Sequence, residues 1–285
     1  MKTTNLFMQG PVFSIEVYPV KKNAPIEVVY RAVDALAGLA PDFISVTYGA
    51  GGGAVTSAAT VEIASLVKNT YGIEAVAHIR GIDLTAPEVD SLLGRLRRHN
   101  IENVLALRGD VLPGMEQTGE FNHASDLASY IHAECGDEFN VLGAAYPEVH
   151  TEAADAESDL AMLALKVRSG VSHLLTQLFF DNDAYFRFLE RVRAAGIDVP
   201  IQPGIMPIVN ARQVERMVQL SGCSQPPAFR AMIERYGDDD ASLRAAGIEY
   251  AIEQCRDLLA RGADGIHLYP MNDPDTASAI LSAIR

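Results

Sequence analysis

At 285 residues and 48% hydrophobic content, the chain has room for one large α/β domain or two small ones, with a sizeable core. A formal charge of −14 argues against nucleic-acid binding, which depends on Lys and Arg neutralising phosphates; it does not exclude a local basic pocket for a small anion. No apolar run approaches the roughly 20 residues needed to cross a bilayer, and "MKTTNLFMQGPVF" lacks the features of a secretory leader. Three scattered cysteines (Cys135, Cys223, Cys255) suggest neither a disulfide framework nor a zinc site. A cytoplasmic protein is expected.

The first predicted strand is "VFSIEVY" (12–18), and the helix after it places Ile26, Val29, Val33 and Leu36 on one face. Strand 42–48 precedes a helix over 54–71. Strand 74–80 precedes helix 86–98, and strand 103–109 precedes helix 123–134. Strand 140–147 leads to helix 153–169, and strand 173–180 to helix 182–195. The last units are strand 200–207 with helix 210–220 and strand 265–271 with helix 273–284. Between them, 226–237 and 239–262 read as two inserted helices. Strands without clean alternation are buried on both faces, as in parallel sheets covered by helices. Eight such units predict a (β/α)8 TIM barrel with an extra helical insertion before the last strand, in one domain spanning 1–285.

In such a barrel the chemistry sits at the C-terminal ends of the strands. Those ends carry Glu16, Thr47, Tyr48, His78, Arg80, Arg108, Asp110, Tyr146, Glu148, His150, Gln177, Asp181, Tyr269 and Asn272. Each alone reads equally well as a helix cap or a satisfied loop group; together they predict one broad pocket over the barrel mouth. "YGAGGG" (48–53) can offer backbone N–H groups to a phosphate or flat ring, but also reads as a plain turn. His78 and His150 belong to no metal motif, and no G-x-S-x-G elbow supports serine hydrolysis. Glu16 lies between Ile15 and Val17. Burial there would raise its pKa and suit a general acid, whereas pairing with an Arg or Lys would leave it an ordinary carboxylate. Both readings stand at this point.

The ordered set "FSIEVYP", "PDFISVTYGAGG", "NVLALRGD", "AAYPEVH", "LLTQLFFD", "PGIMPI" and "GIHLYPMN", spanning 13–272, resembles the methylenetetrahydrofolate reductase family. The resemblance implies flavin-dependent reduction of 5,10-methylenetetrahydrofolate to 5-methyltetrahydrofolate with NAD(P)H, with FAD favoured over FMN. It implies Glu16 as general acid, Asp110 beside the flavin ring, and Thr47 and Gln177 as substrate contacts. Implied flavin contacts are Tyr48, Ala50, His78, Arg108, Gly109, Asp110, Ala124, Tyr146, His150, Asp159 and Lys166. It further implies a homo-oligomer, no metal and no membrane, with an electron-transfer partner protein as an alternative electron source. A flavin-free pterin-binding methyltransferase barrel is the other competing class.

Several positions depart from the family pattern. Val20 replaces a proline, and Arg80 and Gly81 stand where Thr and Cys are common. Met162 and Leu165 replace Asn and Arg among the flavin contacts, Ala211 an aromatic, and Asp273 a substrate-binding arginine.

Overall fold

The computed structural model describes residues 1–19, 26–48, 57–110 and 119–285. Its strands are β1 (Val12–Val17), β2 (Phe43–Val46), β3 (Glu74–Arg80), β4 (Asn103–Leu107), β5 (Asn140–Ala145), β6 (Val171–Thr176), β7 (Ile201–Gln202), β8 (Gly204–Ile205) and β9 (Gly265–Leu268). Around them lie α1 (Ile26–Ala37), α2 (Ser57–Asn69), α3 (Ala86–Arg98), α4 (Ala124–Cys135), α5 (Ala156–Arg168) and α6 (Asn182–Ala194). The remaining helices are α7 (Ala211–Ser221), α8 (Pro227–Tyr236), α9 (Asp240–Ala260) and α10 (Pro274–Ile284). All pairings are parallel, in the order β7-β6-β5-β4-β3-β2-β1-β9-β8. This is the (β/α)8 TIM barrel, and α8 and α9 are the helical insertion.

The barrel closes through the predicted seventh strand, which Pro203 splits into β7 and β8. Proline has no N–H to give a ladder, so β7 pairs with β6 and β8 pairs with β9 instead. Gly204 makes the passage possible, because a Cβ there would overlap the Thr176 carbonyl oxygen and the Tyr269 ring. Gln202 seals the seam from inside, its Nε2 donating to the carbonyls of Val12 (2.7 Å) and Ile266 (2.8 Å).

Period-two alternation sorts each strand. On β1, Ile15 and Val17 point outward into the helix-facing core, together with Ile44, Val46, Ala77 and Ile79 of the next strands. Val12 points inward and packs with Phe43, Val76, Leu105, Leu142 and Leu175 in an interior layer. One level higher, Ser14 meets His267 Nδ1 at 2.6 Å, and Glu16 sits one level above that, at the cavity described below. The alternation therefore aims Glu16, Thr47 and His78 at the barrel mouth.

A 3₁₀ helix, Thr3–Gln9, plugs the opposite end. The Thr3 N–H donates to Asn103 Oδ1 (2.8 Å), Asn140 Nδ2 donates to Thr3 Oγ1 (2.9 Å), and Phe7 meets His173 edge-on at 4.6 Å. Side chains cap several helix starts. Thr85 and Glu88 form a capping box on α3, and Asp155, Asp181, Asp239 and Asp273 accept backbone N–H groups of α5, α6, α9 and α10.

Candidate active site

A cavity of about 750 Å³ opens over the C-terminal ends of the strands. Its walls contain Glu16 from β1, Thr47 and Tyr48 after β2, His78 and Arg80 from β3, and the Arg108–Gly109–Asp110 turn after β4. Ala124 opens α4, Tyr146 and His150 follow β5, Asp159 and Lys166 come from α5, and Gln177 follows β6. Every residue that the family resemblance implies for the site, where it lies among the described residues, thus lines one cavity. Ala50, with the rest of the glycine-rich 49–53 stretch, lies outside the described residues.

Glu16 is the group whose environment does most to its chemistry. Loss of solvent pushes its carboxyl up to about 8. Its side chain keeps 21% exposure, so the carboxyl meets whatever fills the cavity. His78 faces it, with Nε2 3.7 Å from Glu16 Oε2, beyond hydrogen-bonding distance. Burial pushes His78 down to about 3. At neutral pH both are therefore uncharged: an acid carrying its proton beside a neutral imidazole. Among the described residues no Lys or Arg pairs with Glu16, and loss of solvent rather than a cation sets its environment.

The Gly109 turn is built for close approach. Gly109 has φ +97°, and a Cβ there would overlap Cγ and Cδ of Arg80. The Arg80 stem therefore lies on the turn, its guanidinium 5.7 Å from the Tyr48 ring centroid and paired with Asp83. Asp110 follows, exposed at the rim. Several wall atoms are buried without a hydrogen-bond partner among the described residues: Thr47 Oγ1, His78 Nε2, Arg80 Nε and Ser125 Oγ. Buried polar atoms are rarely left so, and these four all border the cavity.

The far end of the cavity is a charged cluster. The Tyr146 ring meets His150 at 4.4 Å, and its hydroxyl is held above its ordinary pKa first by burial and then by Asp110. The His150 N–H donates to Asp159 Oδ2 (3.2 Å), and burial lowers the His150 pKa. Lys166 donates to the Ala144 carbonyl (2.6 Å), and burial pushes its ammonium down to about 8 against the pull of Asp159.

Other strand-end candidates serve the scaffold. Asp181 caps α6. Glu148 accepts the Ser224 N–H (3.0 Å), and Asn272 ties the end of β1 to β9 by hydrogen bonds with the Tyr18 backbone at 2.8 and 3.1 Å. Asp273 caps α10 and pairs with Arg244 at 2.7 Å. Conversely, Glu152, Met206 and Met217 line the cavity without having stood out in the sequence. Only the strand-end rule applied to the whole β5–α5 loop would have found Glu152.

Fold and site together define a (β/α)8-barrel protein with a cavity at its C-terminal mouth. The sequence profile of the methylenetetrahydrofolate reductase family matches residues 3–285, and the chain belongs to that family. It is 36% identical to methylenetetrahydrofolate reductase (NADH) 1 of Arabidopsis thaliana, over 94% of this chain and 47% of the plant protein. It is 34% identical to 5,10-methylenetetrahydrofolate reductase of Escherichia coli, over 96% of this chain and 90% of the bacterial one. The chain spans about half the length of the plant relatives it matches. A solved protein from Clostridium thermocellum, described as binding two copies of 5-methyl-5,6,7,8-tetrahydrofolic acid, superposes with a TM-score of 0.63. That likeness covers 100% of this chain and 98% of the other at 15% identity, and shows the fold alone. Among the described residues no helix is long and apolar enough to cross a membrane.

Proposed function

We propose that this chain reduces 5,10-methylenetetrahydrofolate to 5-methyltetrahydrofolate, with NADH or NADPH as electron donor and a bound flavin, FAD ahead of FMN, as carrier. The observation that carries this reading is Glu16, a carboxylic acid still protonated near neutral pH on the cavity wall. The bridged folate cannot accept hydride until its five-membered ring opens to an iminium, and a proton delivered to the departing ring nitrogen drives that opening.

The cavity suits a flavin. Its volume falls within the roughly 300–1,000 Å³ of small-molecule sites. Leu105, Leu107 and Leu175 give an apolar wall, and the Thr47, His78 and Ser125 atoms that lack a partner among the described residues await polar ligand groups. Tyr48, His78, Gly109, Asp110, Ala124 and Tyr146 would hold the ring side, and Arg108, His150, Asp159 and Lys166 the anionic side. A bound flavin supplies the hydride.

The chain's own residues do the rest. Glu16 places a proton on the folate nitrogen as the ring opens. Asp110 puts a carboxylate where the iminium cation needs a counter-charge. Thr47 and Gln177 orient the folate, and one shared cavity makes the nicotinamide and the folate enter in turn. The purified protein, kept anaerobic, tests this. Its flavin absorbance should bleach with NADH or NADPH and return when 5,10-methylenetetrahydrofolate is added. Protein that stays colourless after incubation with FAD and FMN, or bleached flavin that folate does not restore, contradicts the proposal.

A further inference from the structure

Arg108 leaves the end of β4, and Glu152 lies in the loop between β5 and α5. They meet at the cavity wall as a two-point pair: Arg108 Nη2 donates to Glu152 Oε1 at 2.8 Å, and Nη1 donates to Oε2. The hydrogen bonds hold the Glu152 carboxyl below its ordinary range. Lys166, the other cation at this end, sits against the Ala144 carbonyl and feels Asp159. Each cation therefore already faces a carboxylate.

The two carboxylates are held differently. Asp159 belongs to α5, is half-buried, and accepts the His150 N–H. Glu152 is 55% exposed on a loop, and its partner Arg108 is 25% exposed. An ion pair this open to water is weak enough to be exchanged. A guanidinium fork suits phosphate as well as carboxylate, with the same two parallel N–H donors. Beside it, His150 Nδ1 accepts the Glu152 N–H (3.1 Å), which leaves the proton of the neutral ring on Nε2 as a further donor.

We propose that Glu152 is a positioning residue that latches Arg108, competing with phosphate for its fork and so setting how strongly this end of the cavity prefers phosphate-bearing ligands over neutral ones. The natural ligand, a flavin carrying phosphate, rests on the function proposed above; the latch does not. A neutral ligand gains nothing by opening the pair, whereas a phosphate replaces one anion by another.

The test uses inorganic pyrophosphate as probe, titrated calorimetrically into purified wild type, Glu152→Gln, Arg108→Gln and the double variant. Glu152→Gln should bind pyrophosphate ~2–5-fold more tightly, the upper part of the range an exposed ion pair can withhold. Glu152→Asp, too short to keep both contacts, should move the same way. Riboflavin affinity should not change. With Arg108 already replaced, Glu152→Gln should alter pyrophosphate affinity by less than about twofold. Equal tightening with and without Arg108 means a general charge effect and overturns the latch. So does weaker binding in Glu152→Gln, or no pyrophosphate binding in any variant. If pyrophosphate follows the expected pattern while no flavin binds, the latch stands and the flavin reading fails. If flavin binds and pyrophosphate ignores Glu152, the reverse holds.

Discussion

The two ends of the barrel both carry buried polar side chains, but they use them differently. At the N-terminal end, Asn140 alone bonds to Thr3 (2.9 Å), Asn103 (3.2 Å) and Ser172 (2.7 Å). The leftover atoms there, His173 Nε2 and Gln202 Oε1, belong to side chains that interact with each other. At the C-terminal end, Thr47, His78, Arg80 and Ser125 each keep a buried polar atom without a partner among the described residues, around a cavity of about 750 Å³. A network closed on itself contributes stability; one left open costs stability and is completed by a ligand. Residue type alone does not separate the two ends. What separates them is whether the chain supplies the partner.

The largest expected effect falls at the open end. Glu16→Gln keeps shape and hydrogen bonding but has no proton to transfer. Folate reduction should drop by about 10²–10⁴-fold, the usual cost of losing a general acid. Reduction of the bound flavin by NADH should continue at its wild-type rate. Single-turnover kinetics of the two half-reactions read both, and equal losses would reduce Glu16 to a structural support.

The closed end should answer in stability and not in turnover. Asn140→Ala removes one hydrogen bond each from Thr3, Asn103 and Ser172 at once, and losing this part of the network should cost about 1–3 kcal/mol. Chemical denaturation should show that loss while the rate per folded molecule stays unchanged. Thr47→Val is the contrasting case. Its hydroxyl has no partner to lose among the described residues, so stability should move by less than about 1 kcal/mol while the KM for folate rises. A large stability loss in Thr47→Val would erase the distinction between the ends.

Smaller, but with a definite sign, is the pH dependence of stability. Glu16 ordinarily titrates at 4.5 and is raised to about 8 here. Between these values the unfolded chain gives up the proton and the folded one keeps it. Its contribution is therefore fully present below 4.5 and declines towards pH 8, by at most about 1.4 kcal/mol per pH unit. Glu16→Gln should remove that slope and melt higher than wild type at pH 8. His78 runs the other way: lowered from 6.5 to about 3, it contributes above pH 6.5 and loses that contribution as the pH falls towards 3. His173 is lowered to about 3 as well, so acid should loosen both ends. Melting curves from pH 4 to 9 for wild type and Glu16→Gln measure both slopes.

Much of this was legible in the sequence because strand and helix announce themselves locally. Unbroken runs such as "NVLALRG" mark strands covered on both faces, and "TAPE" marks a capped helix start. The split of the seventh strand is not legible in 200–207, because where Pro203 breaks the ladder depends on the strands on either side. The 3₁₀ plug escaped for a different reason: its contacts join Thr3 to Asn103 and Asn140, 100 and 137 residues away. At the site, the strand-end rule gathered the cavity wall but could not sort it. Glu148, Asp181 and Asn272 obey the same rule and serve the scaffold, while Glu152 earns its place only through Arg108.

The central claim is that the barrel mouth keeps a carboxylic acid protonated at working pH, and titrating Glu16 itself tests it most directly. Carbon-13 NMR of protein labelled at glutamate side-chain carboxyls, with Glu16→Gln to assign the signal, reads the midpoint without reference to activity. A Glu16 resonance that titrates near pH 8, paired with a His78 ring that stays neutral down to acid pH, is the predicted result. A midpoint near the ordinary 4.5 would mean that Glu16 is charged when folate arrives, and the proton donor would have to be sought elsewhere.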